Sequence, residues 1–199
     1  NSYGVEAHPV VFRIAKTKMN WEINRDEIAH ALRDIESQVK KQKQSFDGLD
    51  IRIFLSTEFP ELVLKCYENN TLLDLLFIRN AIRQGNFSES VKDLFFVGLT
   101  SILRQLSTVA TGWPYIAPNK PKTTSFNKNA IYEFSRQIKK MVDDIHFTIL
   151  EANPDFRDSS HHIYNADSRY TQDLIPSNCV DHVFTSPPYL NNFDYADRT

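Results

Sequence analysis

The sequence predicts an α/β fold in which a partial sheet at the two ends of the chain is interrupted by a large helical insertion. Strand-like runs near both termini end in polar or acidic residues, and helical periodicity dominates the segment between them. We therefore assign residues 1–20 and 156–199 to the α/β core and residues 21–155 to the insertion. The insertion is longer than a simple crossover between two strands needs.

The composition fits a globular chain with one sizeable core. The chain has 199 residues, of which 41% are hydrophobic, and its mean hydropathy is −0.41. No apolar run is long enough for a membrane span, so we expect no membrane contact. Cys66 and Cys179 are too few and too far apart for a disulfide or metal framework, which favours a cytoplasmic setting. The net charge of −2 neither indicates nor excludes nucleic acid.

The chain begins with a predicted strand over residues 3–6, and Pro9 is expected to begin a helix that runs to residue 19. This places Glu6 at the tip of the strand. In nucleotide-binding α/β folds an acidic residue at such a tip binds ribose hydroxyls. The alternative for Glu6 taken alone is an ordinary surface carboxylate.

The middle of the chain is predicted to be mostly helical. Asn24 and Glu27 have the spacing of a capping box, followed by apolar residues at helical intervals. Further helices are expected over residues 72–84, from residue 88 to before Gly112, and over 127–150. Residues 51–55 fit either a short strand or an apolar loop.

Residues 112–122 are predicted to form a loop, because they include three prolines and a glycine. Lys120 and Lys122 are candidate phosphate contacts, and Trp113 and Tyr115 could stack on bases. The alternative is that the two aromatic residues attach the loop to the core while the lysines face water.

The end of the chain has a second group of strand-like runs. Residues 161–168 are predicted to be a strand with a polar tip that includes Asp167. A short helix is predicted over residues 170–175, and a buried strand over residues 180–185. The run Ser186-Pro187-Pro188-Tyr189 follows directly. Two consecutive prolines fix an extended loop, and the carboxyl end of a strand is where open α/β sheets bind ligands.

His161 and His162 do not predict a metal site. Neighbouring residues of a strand point to opposite faces of the sheet, and no further ligand cluster accompanies the pair. We therefore assign neither histidine to a metal.

The Ser-Pro-Pro-Tyr run and the Gly4-Val5-Glu6-Ala7-His8-Pro9 segment resemble S-adenosylmethionine-dependent DNA amino-methyltransferases of the N4-cytosine and N6-adenine types. The resemblance implies a Rossmann-like sheet, S-adenosyl-L-methionine as cofactor and DNA as substrate. It implies that Glu6 binds the cofactor ribose, that Asp167 accepts a hydrogen bond from the adenine amino group, and that Ser168 lies nearby. It also implies a catalytic role for four residues, namely Ser186, Pro187, Pro188 and Tyr189.

The resemblance also predicts that part of the cofactor pocket lies elsewhere. Members of the family have a glycine-rich loop about twenty residues before the acidic strand tip, and this chain has five glycines with none clustered. We therefore expect a fragment whose partners include the remaining part of the methyltransferase chain. The resemblance also implies a cognate restriction or defence-system protein as a further partner. A similar L-N-N-x-D-Y run follows the tyrosine in these methylases, which makes four residues substrate contacts: Asn191, Asn192, Asp194 and Tyr195.

The identity of the substrate stays open between several alternatives. Serine at position 186 favours N4-cytosine, whereas aspartate there would favour N6-adenine. An RNA-base or protein-amide methyltransferase is a second enzyme class, and a non-catalytic helical nucleic-acid-binding fragment is a third alternative. The helical insertion is a candidate for either target recognition or covering of the cofactor.

Overall fold

The computed structural model describes residues 1–46, 50–111, 116–121, 129–151 and 160–185. The elements in chain order are β1 Ser2–Val5, α1 Pro9–Met19, α2 Arg25–Ser45, α3 Ile51–Glu58, α4 Glu61–Leu64, α5 Asn69–Gln84, α6 Glu89–Leu106, β2 Val109–Thr111, β3 Ile116–Pro121, α7 Ala130–Glu151 and β4 His161–Tyr164.

The core lies among the helices. Helix α5 is at its centre, since every residue from 71 to 78 is buried, and it contacts α2, α3, α6 and α7. The largest fully buried side chains include Phe95 of α6 and Phe134 of α7, whose rings meet edge to face at 5.6 Å. The predicted helix that begins after Ser88 is confirmed as α6, and its partner α7 begins at Ala130.

Side-chain caps fix where several of the helices begin. Asn24 Oδ1 accepts the N–H groups of Asp26 at 3.0 Å and Glu27 at 3.1 Å, which confirms the predicted start of α2. The other half of the predicted capping box would have Glu27 accept the Asn24 N–H. In the structure Glu27 Oε1 accepts the Ser88 N–H at 3.1 Å. The Glu27 carboxylate thus connects the start of α2 to the start of α6.

Residues 51–55, for which the sequence left a strand or a loop open, form the first part of helix α3. Asp50 Oδ1 accepts the N–H groups of Arg52 at 2.9 Å and Ile53 at 3.2 Å. Leu55 is fully buried while Ile53 is 67% exposed, so the run is an amphipathic helix with one face in the core.

Residues 116–121 fall within the segment that was predicted to be a loop, and that part of the prediction is wrong. They form β3, which pairs antiparallel with β2 and has an irregularity in register between Val109 and Ala110. The prolines at 118 and 121 are compatible with an edge strand, because each removes only one ladder donor.

The small parallel sheet joins the two ends of the chain. Strand β1 pairs with β4 in the register Ser2↔His161 to Val5↔Tyr164, and α1 contacts β4 as well as α6. The strands predicted at 3–6 and at the start of 161–168 are therefore confirmed and lie side by side. The long helical segment is inserted between them.

Two predictions for the last described segment are wrong. Residues 170–175 form turns, in which Leu174 and Ile175 both donate to the Thr171 carbonyl, and not a helix. Residues 180–185 do not form a strand: Val183 is 80% and Phe184 97% exposed. A strand requires a hydrogen-bonding neighbour, and the described part of the chain places none beside this segment. Along the same described residues, no helix has the length and apolar character to cross a membrane.

Candidate active site

The site begins at the shared carboxyl edge of β1 and β4. The strands are parallel and their last residues, Val5 and Tyr164, are partners in the register. The Glu6 N–H donates to the Tyr164 carbonyl at 3.0 Å, which extends the pairing by one residue. Residues that follow the two strands therefore emerge at one edge, although they are far apart in sequence.

Glu6 lies in the turn between β1 and α1. Its Oε1 accepts the backbone N–H of His8 at 2.7 Å, and His8 in turn caps α1 by accepting the Val10 N–H on Nδ1 at 3.3 Å. The half-buried carboxylate is thus held at the start of a helix, where the helix dipole favours negative charge. A carboxylate has a second acceptor oxygen, here Oε2, which can accept from a further donor such as a hydroxyl.

Asp167 lies three residues beyond β4, in a tight turn closed by the Tyr170 N–H, which donates to the Asp167 carbonyl at 3.0 Å. Arg169 holds its carboxylate with both side chain and backbone. Arg169 Nη2 lies 2.5 Å from Oδ2, Nε lies 3.0 Å from each oxygen, and the Arg169 N–H donates to Oδ1 at 2.9 Å. These bonds lower the pKa of Asp167 to about 2. The group is therefore an anionic acceptor at any physiological pH.

Ser168 lies in the same turn and is exposed. Of the residues predicted to bind the cofactor, Glu6, Asp167 and Ser168 therefore all follow the same edge of the parallel sheet. An acidic residue after each of two neighbouring parallel strands suits a ligand that spans both, such as a nucleoside with a ribose and an amino-bearing base.

Asn165 is a residue of this edge that the sequence analysis missed. It is the first residue after β4, and its side-chain Nδ2 donates to the Glu6 carbonyl at 2.8 Å and to the Ala7 carbonyl at 3.2 Å. The only signal in the sequence is an amide-bearing residue directly after a strand, which by itself is common in turns.

The two histidines of β4 have structural partners. Ser2 Oγ lies 2.8 Å from His161 Nδ1, and the His162 ring stacks on Tyr3 at a centroid distance of 5.4 Å. Within the described ranges, no group of three or more His, Cys, Asp or Glu side chains is arranged to hold a metal ion.

The remaining predicted site residues are not brought to this edge by the described structure. Lys120 lies in β3, within the separate antiparallel hairpin. The others lie outside the described residues, so their roles stay predictions: Lys122, Ser186, Pro187, Pro188, Tyr189, Asn191, Asn192, Asp194 and Tyr195.

A parallel strand pair with acidic residues at its carboxyl edge is typical of nucleotide-binding α/β proteins. The chain is 26% identical over 218 aligned positions to the type II methyltransferase M.BsoBI of Geobacillus stearothermophilus, an alignment that covers 98% of this chain and 41% of that protein. The chain thus spans about two fifths of the length of that relative.

This distant similarity supports a relationship to the methyltransferases, and a mostly helical chain with a small parallel sheet is compatible with a partial methyltransferase fold. No protein-family model matches the chain. No solved structure matches it either.

Proposed function

We propose that the polypeptide containing this chain is an S-adenosylmethionine-dependent DNA methyltransferase. The observation that carries the proposal is the shared edge of β1 and β4, where Glu6 and Asp167 follow neighbouring strands. The similarity to a type II methyltransferase along nearly the whole chain gives independent support for the class.

In this proposal the edge holds the adenosine part of the cofactor. Glu6 accepts from the ribose hydroxyls through the oxygen that does not bond to His8, and Asp167 accepts from the adenine amino group. Because Asp167 is ionised, both of its oxygens are acceptors, which suits an amino group that donates N–H bonds. Ser168, exposed in the same turn, lies beside the adenine. When bound, S-adenosylmethionine supplies an electrophilic methyl group.

The catalytic loop acts on the substrate amine. An exocyclic amine of cytosine or adenine is a weak nucleophile, because its lone pair is delocalised into the ring. Ser186 Oγ and the Pro187 carbonyl accept hydrogen bonds from the two N–H groups of the amine. These bonds localise the lone pair on nitrogen. Pro188 keeps the loop rigid, so that little ordering is needed at the moment of reaction. Tyr189 stacks on the base, which leaves the DNA helix to reach the pocket.

The serine at position 186 favours cytosine N4 as the methylated atom, and adenine N6 is the alternative. Four further residues contact the substrate: Asn191, Asn192, Asp194 and Tyr195. The helical block of residues 21–155, with Lys120 and Lys122 near its end, recognises the target or covers the cofactor. A cognate restriction or defence-system protein and the remaining part of the methyltransferase chain are the expected partners.

The test is to incubate the full polypeptide with duplex DNA and S-adenosylmethionine, digest the DNA to nucleosides and identify the modified base by mass. We expect N4-methylcytosine. Ser186→Ala should abolish most turnover and leave cofactor affinity nearly unchanged, while Ser37→Ala on the exposed face of α2 serves as the control. Absence of any methylated base with the wild-type polypeptide would contradict the proposal.

A further inference from the structure

We propose that Asn165 is a positioning residue that sets the spacing between the ribose contact Glu6 and the adenine contact Asp167. The inference rests on the proposed function, and it assigns a role to a residue that contacts neither group of the cofactor itself.

Asn165 lies between the two acidic residues at the edge of the parallel sheet. It is the first residue after β4 and lies two positions before Asp167. Its carboxamide reaches across to the neighbouring strand and donates to the carbonyls of Glu6 at 2.8 Å and Ala7 at 3.2 Å. A single side chain thus links the turn that presents Glu6 to the turn that presents Asp167.

Glu6 is held to the end of β4 by its backbone as well. Its backbone N–H donates to the Tyr164 carbonyl at 3.0 Å, so both the N–H and the carbonyl of Glu6 bond to the end of β4. The regular ladder ends at Val5 and Tyr164. The Asn165 amide adds two hydrogen bonds to that single backbone bond, so without it the Glu6–Ala7 peptide would be held less firmly against the end of β4.

The chemistry of the Asn165 side chain matches its two partners. Two carbonyl oxygens face the Asn165 side chain, and its NH₂ group offers two N–H donors, one for each oxygen. An aspartate here would direct a carboxylate oxygen at two carbonyl oxygens and add a negative charge close to Glu6 and Asp167. The N–H donors of the amide therefore make these contacts, and an aspartate of nearly the same shape could not replace them.

A fixed spacing matters only to a ligand that makes both contacts at once. Such a ligand binds a preorganised pair without the cost of ordering two independent turns. A ligand that makes only one of the two contacts is indifferent to the spacing. This difference separates a positioning role from a general structural one.

The experiment measures the dissociation constants of the full polypeptide for three ligands: S-adenosylmethionine, an analogue without ribose hydroxyls and an analogue without the adenine amino group. For Asn165→Ala we expect about a tenfold weaker affinity for S-adenosylmethionine and less than about a twofold change for either analogue. Asn165→Asp should be at least as weak. Asn70→Ala, at an exposed position of α5, is the matched control and should change none of the three.

The melting temperature of each variant shows whether the protein still folds. If a variant does not fold, Asn165→Gln replaces it, because glutamine keeps the amide on a longer side chain. Equal weakening of all three ligands would overturn the positioning role, as would unchanged affinity for S-adenosylmethionine. Failure of the wild-type polypeptide to bind any of the ligands would overturn the proposed function itself, and this inference with it.

Discussion

Arg13 of α1 donates its Nε–H to Asp93 of α6 at 2.5 Å, which ties the helix that follows β1 to the helical block. Lys16 Nζ lies 3.3 Å from the other Asp93 oxygen, and Arg13 Nη2 donates to the Lys92 carbonyl at 3.2 Å. The Arg13 guanidinium also lies over the Phe96 ring, 4.1 Å from its centroid. The Asp93 side chain is only 12% exposed, and this network is a polar attachment between the helix that follows β1 and the helical block.

We expect Asp93→Asn to lower the free energy of unfolding by about 2 kcal/mol, because it removes a mostly buried carboxylate from two cations. Urea unfolding of the wild type and the variant measures the difference. Glu89→Gln is the control, since it removes a carboxylate that lies 3.5 Å from Lys92 but is 79% exposed. It should cost less than about 0.5 kcal/mol. Equal losses in the two variants would contradict a special role for Asp93.

We expect Arg169→Ala to strengthen S-adenosylmethionine binding by about threefold, because the guanidinium occupies both oxygens of Asp167 that the adenine amino group would use. The gain is small, since the Arg169 side chain is 77% exposed and exposed ion pairs are weak. Calorimetric titration of the full polypeptide measures it, with Arg169→Lys as an intermediate. Weaker binding by Arg169→Ala would instead mean that Arg169 orients Asp167 for the cofactor.

The buried Asp74 gives stability a defined pH dependence. Burial raises the pKa of Asp74, although Lys43, with Nζ 2.7 Å from Oδ1, acts to lower it. A carboxyl whose pKa is higher in the folded state contributes most below its unfolded value, and that contribution is lost as the pH rises through the folded pKa. The stability of the wild type relative to Asp74→Asn should therefore increase when the pH falls from about 7 to about 4. A difference that is constant, or that decreases on acidification, would refute this.

Gly98 allows α6 and α7 to approach each other closely. A Cβ at this position would collide with Cδ1 of Ile138, which is fully buried. We expect Gly98→Ala to destabilise the chain by about 1–3 kcal/mol despite the better helix propensity of alanine. Ile138→Val removes the colliding atom, so the double variant should be more stable than the sum of the single effects predicts. Chemical unfolding of all four proteins completes the cycle, and strict additivity would be the contrary result.

Several of the helices could be predicted from the sequence, because they have apolar residues at helical intervals and begin at a polar cap. Asn24 and Ser88 predict the starts of α2 and α6, and both side chains form N-cap hydrogen bonds in the structure. Residues 51–55 were left open between a strand and a loop, because so short a mostly apolar run has no clear periodicity, and the helix α3 was not predicted. Asp50, whose side chain caps that helix, is the local signal that decides it.

The strand prediction for residues 180–185 failed for a different reason. Val180, Val183 and Phe184 have the composition of a buried strand, yet all three are exposed. Side-chain composition describes how well a segment suits a sheet, but pairing depends on a neighbouring strand from elsewhere. The contacts of Asn165 could not be predicted for the same reason, since its two acceptors lie about 160 residues away in the sequence.

The candidate site was predictable where it depends on strand tips. Glu6 and Asp167 could be proposed from acidic residues at the ends of strand-like runs, and the register of β1 and β4 brings both to one edge. The pairing of Asp167 with Arg169 could not be anticipated, because it depends on the turn geometry after β4. That turn is set by the hydrogen bond from Tyr170 to the Asp167 carbonyl.

The register that pairs Ser2 with His161 joins residues 159 positions apart, and this separation has a consequence for folding. Closing so long a segment carries a large entropic cost unless the intervening chain is already compact. The helices form mostly local contacts and can fold first, whereas β1 and β4 meet only after the helical block has brought the ends of the segment together. During synthesis β1 must therefore wait until β4 has emerged, and the edge that holds Glu6 is completed only after the helical block between the two strands.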